Sequence, residues 1–327
     1  MKKFLALILA LVMALSLVAC GGGNNNSEPE NPDTSDATNT EYKVAMITDY
    51  GDITDQSFNQ TTYEACKAFA ETNGVEFKYF KPAGDNTADR VSMIESAIDE
   101  GFNVIVMPGY AFGEAITETA PNFADVKFIA LDVSAGDLGA DFEVPANLYC
   151  AVYKEELCGY MAGYAAVKLG YKSLGFLGGM AVPAVQRYGY GFVQGVDAAA
   201  AEMGLTDVTL NYVYGGQFFG DADITGVMDT WYSKGTQVVF ACGGGIYTSA
   251  VDAAKKVEGA KVIGVDVDQA GVIANYAAGE GADEATVEGF KALTVTSAMK
   301  GLYPATYDTL TDVIVNGNWE KYSAKID

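Results

Sequence analysis

The segment TDYGDITDQSFNQ, residues 48–60, concentrates side chains that could bind a ligand. Asp49, Asp52 and Asp55 recur at a spacing of three, and Phe58 and Asn59 follow where a helical pattern begins. Carboxylates accept hydrogen bonds, an amide both donates and accepts, and an aromatic ring offers a stacking surface. Because Phe58 lies between polar neighbours, the segment favours a ligand contact, with ordinary core packing as the alternative.

The composition excludes several classes of chemistry. The 327 residues contain no histidine, which removes His-based catalytic triads and His-ligated zinc. Acidic residues outnumber basic ones 43 to 20, so the net charge is −23. Nucleic-acid binding needs clustered Lys and Arg, and none is expected here. The aspartate spacing lacks the closing Glu of a calcium loop, so neither a metal nor a cofactor is predicted.

The N-terminus has the pattern of an export signal. Lys2 and Lys3 precede a 16-residue apolar run, FLALILALVMALSLVA, which is shorter than the roughly 20 residues that span a membrane. The run ends at Cys20 in a sequence that resembles a bacterial lipobox, with an ordinary signal peptide as the alternative. Residues 21–41 contain no large apolar side chain. We therefore predict a signal peptide (1–19) and a lipidated flexible tether (20–41) at the extracytoplasmic face of the cell membrane.

From residue 43 the chain alternates apolar runs with helical patterns. Such alternation predicts βαβ units and parallel sheets. In 86–100, Val91, Ile94 and Ile98 mark one helical face, and Gly101 is the expected stop. Four cysteines lie in this body and are interpreted as buried thiols, with one disulfide left open. The predicted strands are 43–48, 75–80, 103–108, 126–132, 173–178, 208–214, 237–242 and 261–266.

The two halves of the body resemble each other. VIVMPG (104–109) matches VVFACG (238–243), and VKFIALDV (126–133) matches AKVIGVDV (260–267), both at an offset of 134. The matches align Gly109 with Gly243 and Asp132 with Asp266. Ligands of open parallel sheets bind beyond the carboxyl ends of the strands, where these residues and Asp49 fall. We therefore expect two similar lobes and a cleft that closes on a small molecule.

The motifs also resemble a known family. DYGDITDQSFNQ is similar to the D-x-G-x-x-x-D-x-S-F-N signature of the basic membrane protein family, which comprises substrate-binding lipoproteins of ABC transporters, nucleoside receptors among them. Similar stretches cover about 42–318, including YGGQFFGD, VIGVDVDQ and LTVTSAMKG. The resemblance implies a type I periplasmic-binding-protein fold with two Rossmann-like lobes. The first lobe is expected to contain 42–153 and 270–327, and the second 154–269.

The same resemblance assigns a nucleoside site. It implies a base held between two aromatic rings, Phe58 and Phe218, although Phe219 follows in the same loop and both rings could instead be core. Gly244 would let the backbone approach the ligand. Arg187 is interpreted as an ion-pair residue. The polar ligand-binding residues implied are Asp49, Asn59 and Asp132 for the base and Asp266 and Lys300 for the ribose, while Ser57 or Asp55 could simply cap the helix.

The function that follows is capture and delivery of a nucleoside, with purines expected. The predicted partners are an ABC permease with its ATPase subunit, the membrane through the lipid on Cys20, and no nucleic acid; the protein is expected to act as a monomer. A sugar receptor of the same architecture is the first alternative. A nucleoside hydrolase is less favoured, because no activated nucleophile is recognisable, and no enzyme activity is predicted.

Overall fold

Two parallel sheets organise residues 41–327, which are the part of the chain described by this computed structural model. The first sheet has six strands, in the order 325–326, 148–151, 127–131, 104–108, 43–47 and 76–80, and the second has five, in the order 294–299, 261–266, 238–242, 173–178 and 209–214. Within residues 41–327, no helix has the length and apolar character needed to cross a membrane. The strands are β1 (Lys43–Ile47), β2 (Glu76–Phe80), β3 (Val104–Pro108), β4 (Lys127–Leu131), β5 (Leu148–Ala151), β6 (Ser173–Gly178), β7 (Thr209–Tyr214), β8 (Val238–Cys242), β9 (Lys261–Asp266), β10 (Thr294–Met299) and β11 (Lys325–Ile326).

Helices connect most successive strands, as crossovers between parallel strands require. Short 3₁₀ turns lie at 110–112, 120–122 and 319–321, and one π-helical turn lies at 311–315. The α-helices are α1 (Phe58–Asn73), α2 (Thr87–Asp99), α3 (Gly113–Thr119), α4 (Ala135–Leu138), α5 (Glu155–Lys168), α6 (Pro183–Met203), α7 (Ala222–Ser233), α8 (Tyr247–Ala254), α9 (Ala270–Ala278), α10 (Glu284–Lys291) and α11 (Leu302–Leu310).

Each central strand is buried on both faces, which explains why the apolar runs are continuous. In β1, Ala45 and Ile47 pack into one cluster with Ile94 of α2. The alternate residues Val44 and Met46 pack into the opposite cluster with Phe69 of α1. Because successive side chains of a strand point to opposite faces, one five-residue run anchors helices on both sides of the sheet.

All eight strands predicted from apolar runs are present, with ends that differ by at most one residue. The predicted α2 is present as well, and Gly101 follows it with φ +90°. The strands that the runs did not predict lie at or near a sheet edge. β10 is partly exposed along most of its length, so its sequence TVTSAM is too polar to form an apolar run.

The boundary expected at residue 270 requires correction. β10 pairs with β9, so the chain remains in the second sheet until residue 299. Ile273 and Ala277 of α9 are buried in the same cluster as Val239 and Val262 of that sheet. The return to the first lobe comes with α11, where Leu310 packs with Val44 and Phe69. The family motif around 293–301 contained no signal for this change of sheet, because sheet membership depends on long-range pairing.

Helices α5 and α6 lie side by side with their backbones in close contact. A Cβ atom on Gly159 would overlap the carbonyl group of Tyr188, and one on Gly191 would overlap the carbonyl group of Glu156. Only glycine permits this approach. These contacts hold the N-terminal halves of the two helices together.

Candidate functional site

A cavity of about 380 Å³ lies between the carboxyl ends of the two sheets. This volume falls within the range of about 300–1,000 Å³ that is typical of small-molecule sites. All eight residues predicted as ligand contacts in the body line it: Asp49, Phe58, Asn59, Asp132, Phe218, Gly244, Asp266 and Lys300. The structure thus brings the predicted residues together; their contact with a ligand remains a prediction. Cys20, the predicted lipid site, lies outside the described residues.

Asp49 is the best-anchored acceptor on the first-lobe side. Its Oδ1 accepts from the backbone N–H groups of Tyr50 and Gly51, each at 2.6 Å, and from Asn59 Nδ2 at 3.2 Å. Its Oδ2 accepts no hydrogen bond from any of residues 41–327. Burial raises the pKa of Asp49 despite these donors. The buried Oδ1 of Asn59 likewise has no partner in the described structure, so both residues hold acceptor capacity for a ligand.

Asp55 caps helix α1, one of the two possibilities left open by the sequence. Its carboxylate accepts from the backbone N–H groups of Ser57, Asn59 and Gln60 at 2.9–3.1 Å. Ser57 is therefore free for another role. Its hydroxyl donates to Asp266 Oδ2 at 2.6 Å, a bond between residues 209 positions apart that joins the two lobes.

The duplicated turns after β4 and β9 share an unusual backbone. Asp132 and Asp266 have φ values of +65° and +64°, in the left-handed region that non-glycine residues rarely adopt. Gly109 and Gly243, one strand earlier in each half, have φ values of +118° and +139°. Strained conformations of this kind cluster at ligand-binding sites. Residues related by the offset of 134 therefore share backbone conformation as well as sequence.

Asp266 is buried, and burial raises its pKa against the opposing effects of Lys300 and Ser57. Only its Oδ2 has a hydrogen-bond partner within residues 41–327, namely Ser57. Asp266 Oδ1 is thus an unused acceptor on a cavity-lining residue.

Lys300 is the one basic residue among the described residues that line the cavity. Its Nζ lies 2.7 Å from Asp132 Oδ2 and 2.9 Å from Glu155 Oε1. It also lies 5.0 Å from the ring centre of Phe58 and 4.9 Å from that of Tyr153. Burial lowers the pKa of Lys300, but the neighbouring carboxylates outweigh it and hold the pKa above its usual value. The ammonium is therefore charged in the closed cleft.

Glu155 and Arg187 extend this cluster. Arg187 Nε donates to Glu155 Oε2 at 2.6 Å, and Arg187 Nη2 lies 3.7 Å from Asp132 Oδ1. The interpretation of Arg187 as an ion-pair residue is confirmed. Glu155 was not identified from the sequence, and the only signal for it was its place at the start of the largely apolar pattern EELCGYMAGYAA. Its burial is evident only in the structure. Burial raises the pKa of Glu155, but Lys300 and Arg187 outweigh it and hold the pKa low.

Aromatic rings reach the cavity from both lobes. Phe58 begins α1, lines the cavity and also packs on the first-lobe core, so the two interpretations of this residue both have support. The ring of Phe218 lies against the backbones of Gly179 and Gly243, where an added Cβ would approach it to within 2.6 Å. Phe219 lines the cavity too but is 61% exposed. Phe218 also packs on the second-lobe core, so both interpretations have support for this residue as they do for Phe58.

Tyr50, Tyr110 and Met180 form a further contact between the lobes that the sequence motifs missed. The hydroxyl groups of Tyr110 and Tyr50 lie 3.5 and 3.9 Å from the sulfur of Met180. Both tyrosines line the cavity, and burial raises both of their pKa values. A thioether is a weak acceptor, so these two hydrogen bonds contribute little to holding the lobes together.

Other predicted features of the body can be located in the structure. Cys66, Cys150, Cys158 and Cys242 are all free thiols, and Cys158 is the only one of the four that is not buried. Among residues 41–327, no group of three or more acidic or cysteine side chains is arranged to hold a metal ion. The cavity chemistry is therefore that of carboxylates, one ammonium group, aromatic rings and glycine backbone.

Two Rossmann-like lobes with one cavity between their strand ends define the class of two-lobed solute-binding proteins with the type I fold. The chain belongs to the Bmp family, described as "ABC transporter substrate-binding protein PnrA-like", which matches residues 42–324. It is a substrate-binding protein of an ABC transporter, and the family predicted from the motifs is confirmed.

Individual relatives agree with this placement. The ABC transporter nucleoside-binding protein BmpA of Lactococcus lactis is 27% identical over 281 residues, which cover 82% of this chain and 75% of that protein. A solute-binding protein of an ABC transporter from Aeropyrum pernix has a similar structure, with a TM-score of 0.70, 21% identity, and coverage of 87% of this chain and 73% of the other. A sugar-binding protein from Bacillus halodurans shares the fold at a TM-score of 0.62, with 14% identity and coverage of 88% and 93%. The fold therefore accommodates more than one ligand class.

Proposed function

We propose that the protein captures a purine nucleoside in the cavity and delivers it to the membrane permease of its ABC transporter. The observation that carries the proposal is the pairing of an aromatic ring from each lobe with unused acceptors in one cavity. The rings are Phe58 and Phe218, and the acceptors are Asp49 Oδ2 and Asp266 Oδ1. The name of the Lactococcus relative, a nucleoside-binding protein, supports the same ligand class.

The base would lie between Phe58 and Phe218, where stacking supplies a large apolar contact. Its polar edge would face Asp49 and Asn59, which lie together at the start of the first lobe. Asp132, expected from the resemblance to accept from the base, is held by Lys300 at 2.7 Å, so its contribution to base recognition would be smaller.

The ribose would lie near Asp266 and Lys300. Asp266 can accept from a hydroxyl group with Oδ1, and the Lys300 ammonium has three donors, of which one is hydrogen-bonded to Asp132 Oδ2. A free base would leave these groups without partners, which costs about 1–3 kcal/mol for each buried group. Free bases should therefore bind more weakly than nucleosides.

Nucleotides should bind most weakly of the three. The cavity is lined by five acids, Asp49, Asp52, Asp55, Asp132 and Asp266, and by the single base Lys300. A phosphate adds about −1.5 to −2 charges near pH 7. Since both carboxylates beside Lys300 already neutralise it, a phosphate would meet an excess of negative charge.

Calorimetric titration of the mature protein tests the proposal. The ligands are adenosine, guanosine and inosine, the corresponding free bases, the 5′-monophosphates, and ribose and galactose. We expect nucleosides to bind more tightly than bases, and bases more tightly than monophosphates. Tight binding of a sugar without any nucleoside binding would instead identify a sugar receptor. Mass spectrometry of the nucleoside samples for released base tests the hydrolase alternative.

The lipid anchor is a separate part of the proposal. The lipobox resemblance at 17–20 supports attachment through Cys20 at the extracytoplasmic face. Cys20→Ala should abolish lipidation and shift the protein from the detergent-rich phase of a Triton X-114 partition to a soluble or an uncleaved form. Unchanged partitioning of this variant would rule out lipidation at Cys20 and leave nucleoside binding untouched.

A further inference from the structure

Four charged side chains form a closed ring of alternating sign beside the cavity. We call Asp132, Lys300, Glu155 and Arg187 the charge ring. Around it, Asp132 Oδ2 faces Lys300 Nζ (2.7 Å), Lys300 Nζ faces Glu155 Oε1 (2.9 Å), Glu155 Oε2 faces Arg187 Nε (2.6 Å), and Arg187 Nη2 faces Asp132 Oδ1 (3.7 Å). The contacts from Lys300 to Asp132 and from Arg187 to Glu155 are hydrogen bonds, whereas Asp132 Oδ1 and Glu155 Oε1 lie at ion-pair distance and accept no hydrogen bond within the described residues. Each carboxylate thus lies near both cations through different oxygens, and the four formal charges cancel.

The ring is assembled from both lobes. Asp132 follows β4 in the first sheet. Glu155 and Arg187 lie in the first two turns of α5 and α6, which belong to the second lobe, and the glycine contacts between these helices hold them side by side. Lys300 follows β10, where the chain crosses back to the first lobe. Opening of the cleft would withdraw Asp132 from the other three.

Three of the four side chains of the charge ring are buried, so an unbalanced charge among them would be costly. The side chains of Lys300, Asp132 and Glu155 are 3%, 9% and 0% exposed, and only Arg187, at 32%, has substantial contact with solvent. Buried ions lose hydration, so removal of one partner leaves an uncompensated charge and is strongly unfavourable. Without Glu155, two cations would share Asp132 alone; without Arg187, one ammonium would face two carboxylates.

We propose that Glu155 and Arg187 are positioning residues that hold Lys300 against the cavity and balance the charges that closure buries. They act through Lys300 and Asp132, and neither lines the cavity. The closed arrangement of the lobes therefore depends on a pair of residues outside the ligand shell. The role is independent of which ligand the cavity takes.

A competing explanation is that the Glu155–Arg187 pair merely ties α5 to α6. The chain provides a matched control for this explanation. Lys168 and Glu202 pair at 2.7 Å between the same two helices, away from the cavity. Glu202→Gln removes that ion pair while leaving the charge ring intact. Glu202 is 56% exposed and Glu155 is 0% exposed, so the stability losses of the two variants are not comparable. A purely structural role predicts instead that Glu155→Gln, like Glu202→Gln, leaves the ligand-free radius and the ligand affinity of the folded protein unchanged.

The test uses the soluble mature protein as wild type, Glu155→Gln, Arg187→Met, Arg187→Lys and Glu202→Gln. Small-angle X-ray scattering measures the radius of gyration without ligand and with saturating inosine, and calorimetry measures inosine affinity. Glu155→Gln and Arg187→Met should show a larger ligand-free radius and a roughly tenfold or greater loss of affinity, the size of an ordinary coupling between sites. Arg187→Lys retains a cation but cannot reach both carboxylates, so its loss should be intermediate. Glu202→Gln should match the wild type.

Wild-type radii and affinities in Glu155→Gln and Arg187→Met would overturn the inference, as would equal losses in Glu202→Gln. If Glu155→Gln does not fold, Arg187→Lys provides the test, because this substitution conserves the positive charge. A wild-type affinity of Arg187→Lys would then show that Arg187 need not contact both carboxylates. If inosine does not bind the wild type, nucleoside capture fails as a function, whereas the ligand-free radii still test the charge ring.

Discussion

The turns after β4 and β9 have nearly the same backbone and very different surroundings. Asp132 and Asp266 share left-handed φ values one degree apart, and each follows a buried strand of its own sheet. Asp132 faces two cations, Lys300 and Arg187. Asp266 Oδ2 accepts a hydrogen bond from the Ser57 hydroxyl, and no residue among 41–327 donates to Asp266 Oδ1.

This difference shows that duplication repeated the geometry but not the chemistry. A carboxylate that faces two cations is part of a charge-balanced cluster, and its charge is already compensated even though the buried Oδ1 of Asp132 accepts no hydrogen bond within residues 41–327. A carboxylate with one hydroxyl partner remains a strong acceptor. We therefore assign ligand recognition mainly to Asp266 and charge balance mainly to Asp132, and the predictions below test this division.

The largest effect is expected for Asp266→Ala. Loss of the acceptor leaves a ribose hydroxyl and the Ser57 hydroxyl without a buried partner, at about 1–3 kcal/mol each, so nucleoside affinity should fall by roughly 100-fold. Free-base affinity should fall far less. Calorimetry on both ligand types measures the gap, with the exposed neighbour variant Asp268→Ala as the control. Equal losses for base and nucleoside would remove the ribose role from Asp266.

A smaller loss is expected for Phe58→Ala. Removal of one stacking ring should weaken nucleoside binding by about 1–3 kcal/mol. Phe219→Ala, which removes a 61% exposed ring from the other lobe, serves as the comparison and should lose less. If Phe58→Ala lowers the melting temperature while affinity stays unchanged, the residue belongs to the core.

Gly243→Ala should weaken nucleoside binding by less than Phe58→Ala does. The backbone strain of a non-glycine residue in a left-handed conformation is about 1–2 kcal/mol. Its φ is +139°, and the new Cβ would meet the Phe218 ring at 2.6 Å. The duplicated Gly109→Ala would instead meet Asp49 Oδ2 at 3.0 Å. Titrations should therefore show Gly243→Ala disturbing stacking and Gly109→Ala disturbing base-edge recognition. A pair of variants with identical ligand profiles would argue against different roles for the two lobes.

The smallest effect concerns pH. Burial raises the pKa of Asp132 from 3.8 to about 6, against the lowering effect of Lys300. An acid whose pKa is raised on folding contributes stability that is fully present below its unfolded pKa and is lost as the pH rises through its folded pKa. The ligand-free protein should therefore lose part of its stability between about pH 4 and pH 6. In Asp132→Asn this decline should be shallower, as measured by melting temperature; an identical slope would contradict the assignment.

Much of the fold follows from local sequence. Continuous apolar runs predicted eight strands, because a strand buried on both faces must be apolar throughout. The offset of 134 placed Asp132 and Asp266 at equivalent strand ends, where parallel sheets bind ligands. The family resemblance added Phe218, Gly244 and Lys300, all of which line the cavity.

The partners of those residues depend on tertiary structure. Ser57 could have capped its own helix, and only the approach of the second lobe supplies Asp266 as its acceptor. The polar edge strand β10 joined the second sheet through its pairing with β9, against the expected boundary at 270. The charge ring joins residues from four separate parts of the chain. The periodicity of a sequence indicates which residues of a helix or strand are buried. The partners of a buried charge come from elements that are distant in sequence, so only the tertiary structure determines them.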